Sequence, residues 1–299
     1  MISLSIIAPT MNEPSADKTI RELIRTFGKS AEIIVVDKST DANRRKLERT
    51  GARVIRQESI GYENALMDGF REAKGDIIST IDPDGTYSVS DFKRVVSEVK
   101  SGKSDFVSGN RFGKLHRGAM TTSIAFGNKF LTGLYRLLYK REVHDVLSGS
   151  FAMTRKAFES IRNEETYRAG TLFFEIELAR RGFKIIDIPI SYHPRVGSES
   201  KISRFKPIYG MNMARHTIQF ARDYNPLLLF GSIGLILILL GLLVGAFVLA
   251  NYLSTGTLNE IGRALIAFML IVIGFLSILG GLILDLLLRL EKELLRGRR

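Results

Sequence analysis

Two apolar runs near the carboxyl end constrain this chain more than any other feature. Residues 227–250 carry no charged side chain, and residues 264–288 carry one, Asp285. As a helix rising about 1.5 Å per residue, each run is long enough to cross a hydrocarbon core of about 30 Å. Both are apolar around the whole circumference, whereas a surface helix of a globular domain keeps a polar face. The pattern predicts a two-helix transmembrane hairpin over 227–299. Lys206, Arg215 and Arg222 precede the first run. Arg289, Lys292, Arg296, Arg298 and Arg299 follow the second, and 251–262 contains no Lys or Arg. Basic flanks stay in the cytoplasm, so the expected topology is multi-pass in the cell membrane with both termini cytoplasmic. Residues 206–226 read as a juxtamembrane segment, with an amphipathic helix over 208–223 lying along the membrane surface. Asp285 either reaches water at the cytoplasmic edge or faces a partner span, which leaves a homo-oligomer as an expectation.

Residues 1–205 follow a different rule. Short apolar runs alternate with amphipathic stretches in units of about 30 residues, the pattern of parallel strands joined by helical crossovers. Strands are expected at 4–9, 32–37, 52–56 and 76–84, within 105–111, where a loop after the strand carries Arg111, and at 184–190, ended by Pro189. Helices are expected at 17–27, 42–50, 61–73, 89–100, 121–139, from Arg155, and over 171–181. Ser39, Thr40 and Asp41 offer capping oxygens for the second helix. The helix over 121–139 shows a broad apolar face, read as core-facing or as a membrane-interface contact. The fold class is therefore α/β, with a mostly parallel Rossmann-like sheet, an interfacial helix and two spans.

The strand ends locate the chemistry. The run Asp76-Ile77-Ile78-Ser79-Thr80-Ile81 leads into Asp82-Pro83-Asp84-Gly85. The first strand leads to Asn12-Glu13 and the second to Asp37. Ligands of open α/β sheets bind beyond the carboxyl ends of the strands. Two acids there suit a hard divalent cation, which in turn holds a diphosphate. No Gly-x-Gly-x-x-Gly and no P-loop sequence is present. The chain has no Cys, which excludes disulfides and thiolate chemistry. Its net charge of +12 suits phosphorylated substrates and an anionic membrane surface, and the segments favour these over nucleic acid. The N-terminus, with no basic n-region, reads as a first strand rather than a secretory signal. The four histidines, His116, His144, His193 and His216, show no metal-ligand spacing.

An ordered set of motifs resembles the family-2 glycosyltransferases, and within them the polyprenyl-phosphate (dolichyl- or undecaprenyl-phosphate) group. It comprises Ile7-Ala8-Pro9-Thr10-Met11-Asn12-Glu13, Val35-Val36-Asp37, Asp82-Pro83-Asp84-Gly85, Gly109-Asn110-Arg111, Asp145 with Ser148-Gly149, and Arg195-Val196-Gly197 with Ser200-Lys201. The resemblance covers about residues 1–205 and implies a GT-A catalytic domain there, using Mg²⁺ or Mn²⁺ and a nucleotide-sugar donor. By position, Pro9, Asn12, Glu13 and Asp37 would line the nucleoside pocket. Asp82 and Asp84 would serve the metal and the donor diphosphate. Arg111 and Arg117 would face phosphates of donor or lipid acceptor, with Ser148 beside the acceptor phosphate. Arg195, Ser200 and Lys201 would belong to a loop closing over the donor. Lys38 stands where the family often has a second acid, and Pro83 where a small residue is usual. The Gln-x-x-Arg-Trp signature of processive synthases is absent, so polymer synthesis is not expected.

These readings predict a membrane-anchored inverting hexosyltransferase, moving one hexose of the UDP-glucose or GDP-mannose type to a polyprenyl phosphate at the cytoplasmic face. Two alternatives stand beside it. One is a glycosyltransferase acting on a lipid or glycan hydroxyl, with Glu175 or Glu177 as base. The other is an inactive membrane scaffold with this fold.

Overall fold

The computed structural model describes residues 3–58, 61–139, 142–162, 171–195, 215, 222, 225–257 and 260–296. The chain forms two compact units, Met1–Met213 and Ala214–Arg299.

In the first unit, β1 (Leu4–Thr10), α1 (Ala16–Phe27), β2 (Ala31–Asp37), α2 (Asp41–Glu48), β3 (Arg53–Arg56), α3 (Tyr62–Glu72) and β4 (Ile77–Thr80) follow as strand–helix units. Then come α4 (Val89–Lys100), β5 (Phe106–Leu115), α5 (Thr122–Tyr139), β6 (Phe151–Thr154), α6 (Arg155–Ile161), α7 (Thr171–Arg180) and β7 (Ile185–Tyr192). The seven-stranded sheet has the order β3-β2-β1-β4-β6-β5-β7. From β1 the chain runs outward through β2 and β3, then returns to lay β4 on the other side of β1. That reversal makes a crevice at the carboxyl ends of β1 and β4, where ligands of such sheets bind. The register levels these ends, pairing Thr10 with Asp37 and Ile7 with Thr80.

β1 is buried along its whole length because both faces of the sheet are covered, which is why its middle, Ile6 to Pro9, is apolar without alternation. Ile6 and Ala8 join Ile20 and Leu23 of α1 and Phe92 and Val95 of α4. Ile7 faces α3, where a Cβ on Gly69 would lie 2.5 Å from Ile7 Cγ2, so only glycine admits this approach. Phe70 packs edge-on against Phe151, Phe158 and Phe174.

The structure departs from the sequence reading in several places. β6 was not foreseen; it runs antiparallel to both β4 and β5, just ahead of the helix expected from Arg155. β4 ends at Thr80, so Asp82 and Asp84 sit in the turn beyond it. β5 continues to Leu115, with a register irregularity between Asn110 and Lys114. β7 runs through Pro189, tolerated because β7 is an edge strand whose outer N–H groups need no partner. Thr40 stands at the N-cap of α2 but its side chain makes no capping bond, Ser39 Oγ instead accepts from Asn12 N–H at 2.7 Å, and Thr40 N–H donates to Asn12 Oδ1 at 2.9 Å. The helix expected over 208–223, apart from residues 215 and 222, lies outside the described residues.

The second unit comprises α8 (Pro226–Thr255) and α9 (Ile261–Arg296). Pro226–Thr255 and Ile261–Leu290 are long and apolar enough to cross a membrane. Glycines bring the two backbones together: a Cβ on Gly234 would lie 2.4 Å from Gly274 O. Ser277 Oγ donates across the pair to Phe230 O at 2.8 Å. Asp285 accepts from Arg289 Nε at 2.8 Å one turn away, which offsets its charge in an apolar helix.

Candidate active site

The acids expected at the strand ends gather at one rim. Asp37 closes β2 and is buried; its Oδ1 accepts from Ser39 N–H at 3.0 Å. Its Oδ2 and the neighbouring Thr10 Oγ1 have no hydrogen-bond partner among the described residues. Buried polar atoms left this way are costly. Pro9 lies in β1 and pairs with Val36 of β2. Asn12 adopts φ 51°, which Asn tolerates better than most residues, and its bonds to Ser39 and Thr40 tie the β1 loop to the β2 loop.

The central pair lies just past β4. Asp84 Oδ1 accepts from Thr86 N–H at 3.1 Å and Thr86 Oγ1 at 2.6 Å. Gly85, at φ 76°, supplies the turn. Asp82 Oδ1 accepts from the Tyr62 hydroxyl at 2.8 Å. Its Oδ2 rests against Gly149, where a Cβ would lie 2.2 Å away. Burial, and then the neighbouring Asp84 charge, push the Asp82 carboxyl up to about 7. The site thus concentrates negative charge that a cation would relieve. A guanidinium does part of this already: Arg195 Nη2 reaches Glu13 Oε2 at 2.8 Å and Asp84 Oδ2 at 3.2 Å. Among the described residues no group of three or more His, Asp or Glu could hold a metal alone. Two carboxylates fit Mg²⁺ or Mn²⁺ where phosphate and water oxygens complete the shell.

Behind this rim is a buried ion pair. Arg111 Nε and Nη2 donate to Asp145 Oδ2 and Oδ1 at 2.6 and 2.8 Å, and Arg111 N–H adds a third bond at 3.0 Å. The fork of Arg111 is therefore engaged by Asp145 and stacks over Tyr192 at 5.5 Å. Tyr87 meets Tyr192 edge-on, and its hydroxyl accepts from Gly149 N–H at 2.8 Å. Ser148 is fully buried and exchanges bonds with Ser150, while its carbonyl accepts from Thr171 Oγ1. Arg117 stands exposed in the turn after β5. Ser200 and Lys201 lie outside the described residues. His116 stacks on His193 at 4.1 Å and His144 pairs with Asp187 at 3.0 Å.

Glu175 is fully buried in α7, and burial pushes its carboxyl well above the usual range, with Asp145 and Asp187 adding to the shift. Glu177 is nearly as enclosed and lies near Arg180 and Arg181. Neither has the exposure that proton abstraction from an incoming hydroxyl requires. Tyr62 and Tyr87 were not singled out from the sequence. Tyr62 carried no signal there, being 20 residues from the carboxylate it bonds.

Residues 5–162 match the family described as Glycosyl transferase family 2. Glycosyltransferase AglJ of Haloferax volcanii is 27% identical over 296 residues, covering 97% of this chain and 95% of that protein. A dolichyl-phosphate hexose transferase of the same organism is 31% identical over 206 residues, 68% of this chain and 87% of its own length. The dolichol-phosphate mannosyltransferase of Pyrococcus furiosus is 24% identical over 278 residues, 87% and 75% of the two chains. Among solved structures, glucosyl-3-phosphoglycerate synthase from Mycobacterium tuberculosis, in complex with Mn²⁺, UDP and phosphoglyceric acid, has the same fold. It aligns with a TM-score of 0.57 at 20% identity, over 74% of this chain and 78% of that one. With that sheet, that acidic rim and that match over more than half its length, the chain belongs to glycosyl transferase family 2 and is a glycosyltransferase.

Proposed function

We propose that this protein transfers one hexose from a nucleotide sugar to a polyprenyl phosphate, with inversion at the anomeric carbon, at the cytoplasmic face of the cell membrane. The observation that carries the reading is the acidic rim of Asp37, Asp82 and Asp84 in a chain that also holds two membrane-length helices. The names of the Haloferax and Pyrococcus relatives support the acceptor. The basic flanks of the spans support the orientation.

In this reading Asp37 Oδ2 and Thr10 Oγ1 receive the nucleoside, with Pro9, Asn12 and Glu13 shaping the pocket. Asp82 and Asp84 would hold Mg²⁺ or Mn²⁺, which would supply Lewis-acid stabilisation of charge on the departing diphosphate. Arg195 leaves its carboxylates for the donor phosphates, joined by Ser200 and Lys201. Arg111 stays on Asp145 and lends positive potential from behind, while Arg117 and the Ser148 loop meet the acceptor phosphate. That acceptor is already an anion at neutral pH, so no side chain need take its proton. Catalysis then rests on positioning and fixed charge.

Incubation of the full chain with Mn²⁺, labelled nucleotide sugars and a polyprenyl phosphate tests this. Labelled lipid is expected, and Glu175→Gln is expected to keep activity because that side chain is fully buried and takes no proton from the acceptor in this reading. Transfer to a hydroxyl acceptor alone, abolished by Glu175→Gln, would replace the reading with the alternative. Absence of both transfer and nucleotide binding would favour a scaffold.

A further inference from the structure

Tyr62 is bonded to an acid of the central site and is itself open to solvent, at 38% exposure. It opens α3, and the chain reaches it through Gly61, whose φ of 122° is a conformation that side chains rarely adopt. A track of hydrogen bonds ties that turn to the nucleoside end of the rim. Gln57 N–H donates to Asp37 O at 2.9 Å, and the buried Gln57 amide donates from Nε2 to Gly61 O at 2.6 Å. At the other end, the Tyr62 hydroxyl donates to Asp82 Oδ1 at 2.8 Å. The same helix packs over the strands between: a Cβ on Gly69 would meet Ile7 of β1 and Val36 of β2. Tyr62 therefore comes to Asp82 from the side of β1 and β2. Gly149, ahead of β6 on the other side of β4, closes off Oδ2.

The chemistry of a phenol decides what this hydroxyl can take. It has one proton and two acceptor lone pairs. The proton is committed to Asp82, so a phosphate oxygen finds no donor here, whereas a group that donates O–H finds an acceptor. In a nucleotide whose base lies at Asp37 and whose diphosphate lies at Asp82 and Asp84, the part between them is the ribose, and its hydroxyls are such donors. We propose that Tyr62 receives a ribose hydroxyl of the donor nucleotide, in the relay ribose O–H to Tyr62 Oη and Tyr62 O–H to Asp82 Oδ1, and that the same bond holds Asp82 in position. The inference rests on the donor reading given above and adds to that site a residue outside its acids. Because the last acceptor in the relay is a carboxylate, each bond in it strengthens the next. The carboxylate is held from both sides: Tyr62 fixes Oδ1, and Gly149, itself bonded to the Tyr87 hydroxyl, blocks any swing of Oδ2.

Titration calorimetry on the detergent-solubilised full chain, with Mn²⁺ and without lipid acceptor, tests this with UDP and GDP and with the 2′-deoxy and 3′-deoxy forms of each. Tyr62→Phe removes one oxygen from a partly exposed side chain and keeps the ring, so its ligand-free melting temperature is expected to match that of the wild type. The wild type is expected to bind one deoxy form about tenfold more weakly than the parent nucleotide, the order for a hydrogen bond linked to a charged group. Tyr62→Phe is expected to bind the parent about tenfold more weakly than the wild type does, and to make no distinction between the parent and that deoxy form. The deoxy form that shows the penalty identifies the hydroxyl. A deoxy penalty as large in Tyr62→Phe as in the wild type overturns the proposal, whatever the change in overall affinity. A wild type that binds the parent nucleotide and is indifferent to both deoxy forms also overturns it. A wild type that binds neither UDP nor GDP removes the donor reading itself and this inference with it. Native nucleotide binding with an unaltered penalty in the variant removes this inference alone.

Discussion

Gly149→Ala places one methyl group against the carboxylate at the centre of the site. Its Cβ would lie 2.2 Å from Asp82 Oδ2 and 2.8 Å from Asp82 Cγ. Non-bonded atoms prefer separations of about 3.5 Å, so the carboxylate has to retreat by about 1 Å. It cannot retreat freely, because its other oxygen is held by Tyr62. Gly149 cannot retreat freely either, because its N–H is held by the Tyr87 hydroxyl. Overpacking of this kind costs about 1–3 kcal/mol of stability. A displacement of about 1 Å at a reacting centre costs about a hundredfold in rate. The expected variant is folded, with a lowered melting temperature, and has about a hundredfold loss in kcat/KM together with weakened metal-dependent nucleotide binding. Thermal unfolding, nucleotide titration with and without Mn²⁺, and lipid-linked product formation measure the three. Gly127→Ala, where a Cβ meets nothing within 4 Å, is the control. A Gly149→Ala protein that binds nucleotide with native metal dependence and transfers at the native rate would refute the placement of Asp82.

Three further outcomes follow from the geometry. Asp82, raised to about 7, must lose its proton to bind a cation. Mn²⁺ affinity measured with nucleotide present should fall about tenfold per pH unit below that value, and Asp82→Asn should flatten the dependence. In the metal-free protein the sign is opposite: the folded state holds this proton more tightly than the unfolded chain, so its contribution to stability is lost as pH rises towards 7. Asp145→Asn leaves the buried Arg111 guanidinium without its anion, and should lower unfolding free energy by about 3–5 kcal/mol in a denaturant titration; a change within experimental error would show that the pair is not closed. Asp37→Asn keeps the side chain's shape and its bond to Ser39 N–H but replaces the unpartnered carboxylate oxygen with an amide nitrogen, so the ligand-free melting temperature should hold while nucleotide affinity drops about tenfold or more; a fall in both together would mark Asp37 as structural.

Much of this molecule was written in local patterns. β1 and β2 are covered on both faces, so apart from Ser5 and Glu32 they are apolar runs, and each leads directly to polar or acidic residues at the rim. α8 and α9 are legible for a similar reason, being apolar all round. β6 was hidden because four residues pairing antiparallel with distant strands have neither length nor alternation to announce them. The environment of the acids was hidden as well. Asp145 meets Arg111 across 34 residues, and Gly149 meets Tyr87 across 62, so these contacts exist only once the sheet has brought β4, β5 and β6 together. The chain could display its carboxylates one by one, but the Tyr62 bond, the Gly149 contact and the Arg195 bridge come from the fold.

The proposed reaction rests on a nucleotide held through a metal at Asp82 and Asp84. The direct measurement is thermal unfolding of the detergent-solubilised protein with UDP or GDP, each with and without Mn²⁺, beside the Asp84→Ala variant. A ligand at a hundredfold excess over its dissociation constant adds about 2.7 kcal/mol of stability. The account predicts a Mn²⁺-dependent rise in melting temperature with one nucleotide, absent from Asp84→Ala. No shift with either nucleotide, or an equal shift in the variant, would contradict it.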